Sequence, residues 1–188
     1  LQRVHADIAG RGAGVLSATA LLAHARAAGP RVERDTVAAL TIAAVDELLV
    51  VGAAAAARDE ATSTLGIDGL TDAVTAVLLC RRARCSAALG QGLDAHADIE
   101  EALSVARCAA DTEALAEVFL ARLWVGFPFS SDPEEPPLLH EVIRSVAPAE
   151  HQRRLSLLRV LIGHYLNAGH LDGAGDALSP ARVTAARQ

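Results

Sequence analysis

A glycine followed by small or apolar residues at fixed offsets recurs along this chain, and it constrains the fold more than any other feature. After Gly90, Ala95 stands at plus five, Ile99 at plus nine and Ala102 at plus twelve. After Gly169, Ala174, Leu178 and Ala181 stand at the same offsets, and Gly52 supplies Ala57, Ala61 and Thr64 as a weaker copy. Steps of four and three keep residues on one face of an α-helix. A glycine just ahead of such a stripe ends the preceding helix and permits a tight reversal. The small residue at plus five lets two helix backbones approach, the larger one fills the space beside it, and the next small one admits the following unit. One such hairpin cannot bury its apolar face alone, whereas stacked hairpins do. Gly52 and Gly90 are 38 residues apart. A degenerate copy is expected to turn near Phe127, and Ala18, Leu22 and Ala25 read as the second helix of one more unit.

The intervening segments support helices. The chain is 52% hydrophobic but only 3% aromatic. Alanine and leucine carry that content, and both favour helix, while the residues that sheets prefer are thin. Helical segments are predicted over 12–28, 34–51, 53–65, 72–89 and 93–108. Gly29-Pro30 stops the first, and Gly66 to Gly69 makes a loop. Thr71 or Asp72 is a candidate cap, and Asp111 or Thr112 caps the helix that holds Phe119 and Trp124. The proline-dense run from Phe127 to Pro137 is expected to be the longest loop. Helices resume over 138–146, 150–168 and 171–178, and Ser179-Pro180 opens a last short one. The expected architecture is all-α: a single domain over 1–188, a right-handed stack of antiparallel helix pairs with nine or ten helices.

Several chemistries find no support. All 17 basic side chains are arginine, so neither a Schiff-base lysine nor a phosphate-loop lysine is present in this chain. The net charge of −6 is spread along the sequence, which disfavours a nucleic-acid surface. No uncharged apolar run approaches the length of a membrane span, and no signal peptide stands out. Cys80, Cys85 and Cys108 form no CxxC and no even set, and read as reduced residues in a cytoplasmic protein. The lack of methionine, with Leu1 inside a structured segment, suggests a fragment of a larger protein.

The remaining motifs have plainer explanations. Gly10, Gly12 and Gly14, and likewise Gly90 and Gly92, lack the preceding strand and third glycine of a dinucleotide fingerprint. His140-Glu141 begins a zinc-protease pattern, but Arg144 stands where its second histidine belongs. His151, His164 and His170 are expected to be surface or packing residues, with a cluster of the three as the alternative. Asp98, Glu100 and Glu101 are expected on a solvated face, opposite the Ala95, Ile99 and Ala102 stripe. No cofactor and no metal are implied.

The Gly90 and Gly169 copies resemble the tetratricopeptide repeat. Ala83, Gly90, Ala95, Ile99 and Ala102 match its signature, with Ser86 at the tyrosine position; Tyr165, Gly169, Ala174, Leu178 and Ala181 match in the later copy, with Ile162 in place of a small residue. Pro180 interrupts that copy's second helix. Together with the phrase from Arg107 to Leu123, the longer spacing is similar to the helical-repeat region of large ATP-binding bacterial transcriptional regulators, of the LuxR class and of AfsR-like type. Their nucleotide-binding and helix-turn-helix modules are not found here. The resemblance implies a non-enzymatic binding scaffold, with a concave groove lined by Cys80, Arg84, Arg122 and Arg159. Such a groove would bind an acidic protein segment or a small anionic effector without touching nucleic acid or membrane, and the chain could self-associate through uncapped repeat ends. The competing expectation for the arginines is solvation or pairing with nearby acids. The alternatives for function are a stand-alone adaptor unrelated to transcription and a small helical hydrolase built on His151, His164 and acids.

Overall fold

Each hairpin glycine sits where a helix must stop. The structure, a computed structural model, describes residues 18–27, 34–126, 132–170 and 173–175. Within them eight helices have described bounds, α1 (Ala18–Ala27), α2 (Arg34–Val50), α3 (Ala54–Leu65), α4 (Asp72–Ala88), α5 (Gly92–Ala109), α6 (Thr112–Val125), α7 (Glu135–Ser145) and α8 (His151–Asn167), and residues 173–175 are helical as well. No strand occurs among the described residues. The calls on Gly10, Gly12 and Gly14, on Gly29-Pro30, on the helix over 171–178 apart from residues 173–175, on Ser179-Pro180, and on Leu178 and Ala181 fall outside the described residues. So do the first helix ahead of Ala18 and the start of the long loop.

Three turns share one hydrogen-bond pattern. At Gly90 (φ +75°) the glycine amide donates to the Ala87 carbonyl at 3.0 Å, and the Gln91 amide donates to the Ser86 carbonyl at 2.8 Å. Gly52 (φ +79°) repeats this with Leu49 at 3.1 Å, while Ala53 bonds Leu48 at 2.8 Å. Gly169 (φ +75°) does so with Leu166 at 3.2 Å, and His170 with Tyr165 at 2.8 Å. This is the Schellman ending, which satisfies the last carbonyls of one helix and needs a residue tolerant of positive φ. The residue after each glycine then accepts the first bond of the next helix, from Ala57 (3.0 Å), Ala95 (3.0 Å) and Ala174 (3.1 Å) respectively. All three of those alanines are buried, as are Ala61 and Thr64 in the first copy and Ile99 and Ala102 in the second. The plus-five, plus-nine and plus-twelve stripe is therefore the inward face in both fully described copies.

The fourth reversal is different. Gly126 has φ +70°, but its amide bonds Arg122 four residues back at 3.2 Å. Helix α7 begins at Glu135, three residues before the expected Leu138. Pro136 and Pro137 occupy its first turn, where the missing amide hydrogen is no loss and the fixed φ suits a helix. Dense prolines thus marked a helix start inside the run expected to be loop. Asp111 caps α6 as expected, its carboxylate accepting from the amides of Glu113 and Ala114 at 2.9 Å each. Thr71 is the residue ahead of α4, but its hydroxyl donates to Asp35 Oδ2 at 3.0 Å instead of capping its own helix. That bond ties the starts of α2 and α4 together.

The chain divides into two compact units, Leu1–Ala110 and Asp111–Gln188. In the first, α1 packs on α2, α2 on α3 and α4, α3 on α4, and α4 on α5. Val45, Ala57, Ala61 and Cys85 form one core cluster between α2, α3 and α4, flanked by Leu48 and Leu49. In the second, α6, α7 and α8 pack pairwise, around Phe119, Leu139, Val142, Leu157 and Leu161, each at most 1% exposed.

Candidate functional site

In the first unit the polar features gather along α4. Arg81 and Arg84, one helical turn apart, both reach Asp46 of α2. Arg81 Nε donates to Asp46 Oδ2 at 3.2 Å and Arg84 Nη1 to Asp46 Oδ1 at 3.1 Å. Arg84 remains partly exposed. Cys80, expected beside it in the groove, is fully buried, so its thiol packs in the core. About 100° round the helix from Arg81, Arg82 forks onto Asp98 of α5, with Nη2 to Oδ1 at 2.6 Å and Nε to Oδ2 at 3.0 Å. Asp98 is buried while Glu100 and Glu101 are exposed, so the expected solvated face holds only for the two glutamates. Asp98 adjoins Ile99 on the stripe, and its bidentate partner offsets the cost of desolvating its charge. The same fork raises the guanidinium pKa of Arg82. Cys85 is likewise buried, and desolvation pushes its thiol up to about 11, so it is no nucleophile. Cys108 is exposed, and none of the three cysteines is in a disulfide.

In the second unit Arg159 is exposed on α8. Arg122 is 6% exposed. Its Nη1 donates to Glu135 Oε2 at 2.7 Å, and its guanidinium lies 5.9 Å from the Phe119 ring centroid. The alternative of pairing with nearby acids therefore describes Arg84 and Arg122, whereas Arg159 is left to solvent. Glu135 was not singled out from the sequence. It lies in the proline run, and its first-turn position ahead of Pro136 is the local signal that marks it as a helix-start acid.

Beside this pair lies a cleft of about 360 Å³ lined by Pro133, Pro136, His164, Tyr165, Ala168, His170 and Gly173. Gly173 is needed there: a β-carbon on it would fall 2.9 Å from the Tyr165 ring. The Tyr165 hydroxyl pairs with His140 Nε2 at 3.1 Å. His164 packs edge-on to the Tyr165 ring, and its Nδ1 lies 3.8 Å from Glu135 Oε2 without a hydrogen bond. Burial lowers the His164 pKa below its ordinary value, against the pull of Glu135. The histidine grouping is thus His140, His164 and His170 around Tyr165. His151 is the exposed first residue of α8, about 20 Å along the helix axis from His164. Among the described lining residues there is no serine, threonine, cysteine or acid, and those residues offer aromatic and imidazole contacts. Among the described residues no group of three or more histidine, cysteine or acidic side chains is placed to hold a metal ion. Nor is any described helix long and apolar enough to cross a membrane.

No protein-family model, no curated protein and no solved structure matches this chain.

Proposed function

We propose that this chain is a non-enzymatic binding and scaffolding module built from stacked, tetratricopeptide-like helix hairpins, and that it serves as the repeat region of a bacterial transcriptional regulator. The observation that carries this reading is the Schellman hairpin repeated at Gly52, Gly90 and Gly169, each followed by a buried alanine at plus five. Repeats of one turn with one inward stripe are the design of a protein that presents an extended surface. The packing of α2 on both α3 and α4 fits a right-handed stack of hairpins in the first unit. A ligand is recognised in this reading by cations left in reach of solvent. Arg84 is held ready by Asp46, and Arg159 is exposed, so an acidic protein segment or a small anionic effector is the matching chemistry. Arg122 serves as a structural cation in this scheme because Glu135 already neutralises it.

A fluorescent hexaglutamate peptide titrated onto the full chain tests the binding role. Saturable, salt-sensitive binding is expected, weakened about tenfold or more by Arg84→Glu or by Arg159→Glu. Binding that neither variant weakens, or no binding at all, refutes the acidic-ligand reading. The regulator assignment is tested separately by the gene. A flanking nucleotide-binding module and helix-turn-helix support it, and their absence favours a stand-alone adaptor. Light scattering reads whether exposed repeat ends drive self-association.

A further inference from the structure

The cleft of the second unit is walled by rings that are held in place. Pro133 lies just ahead of α7 and Pro136 in its first turn, and a proline ring fixes its own backbone. Tyr165 is pinned twice. Its hydroxyl pairs with His140 Nε2 at 3.1 Å, and Gly173 lies so close that a β-carbon there would fall 2.9 Å from the ring. The enclosed space of about 360 Å³ sits at the small end of the range that ligand pockets span. Walls set before a ligand arrives cost little ordering entropy on binding. The described lining residues include no arginine and no acid, so nothing among them matches a charged ligand.

One polar ring is set into these walls. His164 is only 4% exposed, yet it lines the cleft. Its Nδ1 is enclosed, has no hydrogen-bond partner and stands 3.8 Å from Glu135 Oε2. That gap is too long for a hydrogen bond. The negative charge beyond it still favours the tautomer with the proton on Nδ1, which leaves the lone pair on Nε2. Because Nδ1 is enclosed, the side of the ring left to border the cleft is the one that carries Nε2. An acceptor in an otherwise apolar wall gains most from a ligand that brings a donor to it.

We propose that this cleft binds a small, uncharged aromatic molecule with one O–H or N–H donor, a phenol- or indole-type ring, whose donor bonds His164 Nε2 while its ring packs on Pro133, Pro136 and Tyr165. A planar aromatic buries a large area with few rotatable bonds and packs on the tyrosine ring with a preferred geometry. Pro136 belongs to α7, and His164 and Tyr165 belong to α8. An occupant therefore bridges the two helices and stabilises their packing by mass action. The site is independent of the acidic-ligand reading above. It uses neither Arg84 nor Arg159, and an uncharged ligand is indifferent to ionic strength.

The test is a titration of the full chain with phenol at about pH 8, above the ordinary histidine range, followed by NMR at the His164 and Tyr165 rings. A ligand of this size is expected to bind with a Kd on the order of 1 mM, saturably and equally at low and high salt. Anisole, in which a methyl group replaces the donated proton, should bind about tenfold more weakly. Cyclohexanol, which keeps the donor and loses the aromatic ring, should bind about threefold more weakly or worse. His164→Phe should bring phenol down to the affinity of anisole. Ala168→Leu fills the cleft from an exposed position and should abolish binding. No saturable shift at concentrations well above that Kd overturns the proposal. Anisole or cyclohexanol binding as tightly as phenol overturns it too, as does phenol binding that survives in Ala168→Leu. Should His164→Phe not fold, the ratio of phenol to anisole on the unaltered chain decides the role of Nε2.

Discussion

The two units hold their helices together by opposite means. In the first, backbones approach through small residues, Ala57, Ala61, Ala95 and Ala102, all fully buried. Most of its charges sit nearer the margin: Asp46, clasped by Arg81 and Arg84, keeps 37% of its side chain exposed, and in the Arg82–Asp98 fork the aspartate is buried while the arginine stays partly exposed. In the second, a charge pair lies inside. Arg122 and Glu135 keep 7% and 6% of their side chains exposed, and an unpaired histidine stands beside them. Close packing of small residues is insensitive to pH and salt. A buried ion pair is exacting, because removing either partner strands the other in a medium that solvates it poorly. The first unit thus leans on close apolar packing, and the second carries an ion pair whose partners depend on each other.

The sharpest way to break the comparison is to strand Glu135. Arg122→Ala leaves a buried carboxylate without its cation and is expected to destabilise the second unit by about 3–5 kcal/mol. Urea unfolding followed by residue-resolved hydrogen exchange checks this, because the loss should fall on α6, α7 and α8. A loss below about 1 kcal/mol would mean the pair is hydrated like a surface pair. An overpacking change tests the first unit instead. Ala95→Leu adds three carbons to a site that is fully buried and is expected to cost about 2 kcal/mol. The same readout should now show the loss in α4 and α5. A neutral result would mean that the plus-five position does not set the helix separation.

What was legible in the sequence follows this division. The stripe of Ala95, Ile99 and Ala102 and the turn at Gly90 are local and periodic, so helix geometry alone places them on one face. The buried charges have no such signature. Asp98 looks like its neighbours Glu100 and Glu101, and its partner Arg82 lies in another helix. Glu135 sits in a proline-rich run that reads as loop, and is paired with a residue across an irregular reversal. Cys80 and Arg84 share a predicted groove face, yet the core takes the thiol while Asp46 and solvent share the guanidinium. Whether a polar side chain is buried depends on which helices meet there, and one chain's pattern does not carry that information.

A smaller effect is expected at the turn itself. Gly90 adopts φ +75°, and a β-carbon there would meet no atom within 4 Å. The cost of Gly90→Ala is therefore backbone strain alone, about 1–2 kcal/mol. Gly90→Asn should recover part of it, since asparagine tolerates the left-handed region. Thermal unfolding of the two variants compares them directly. Equal loss in both would point to a different origin for the effect.

The smallest expected effect lies at the margin of the first unit. Asp46→Asn removes the charge that Arg81 and Arg84 share, in a carboxylate more than a third exposed. Solvent screens that interaction, and both guanidinium groups can turn to water, so the loss of stability should be only about 0–1 kcal/mol. The loss should also shrink at high salt, because screened surface charges contribute less there. Urea midpoints at low and high ionic strength give both numbers. A loss near that of Arg122→Ala, unchanged by salt, would place Asp46 in the same class as Glu135 and erase the contrast between the two units. A small, salt-sensitive loss leaves Arg84 structurally dispensable, which the hexaglutamate titration requires if Arg84→Glu is to report on binding and not on folding.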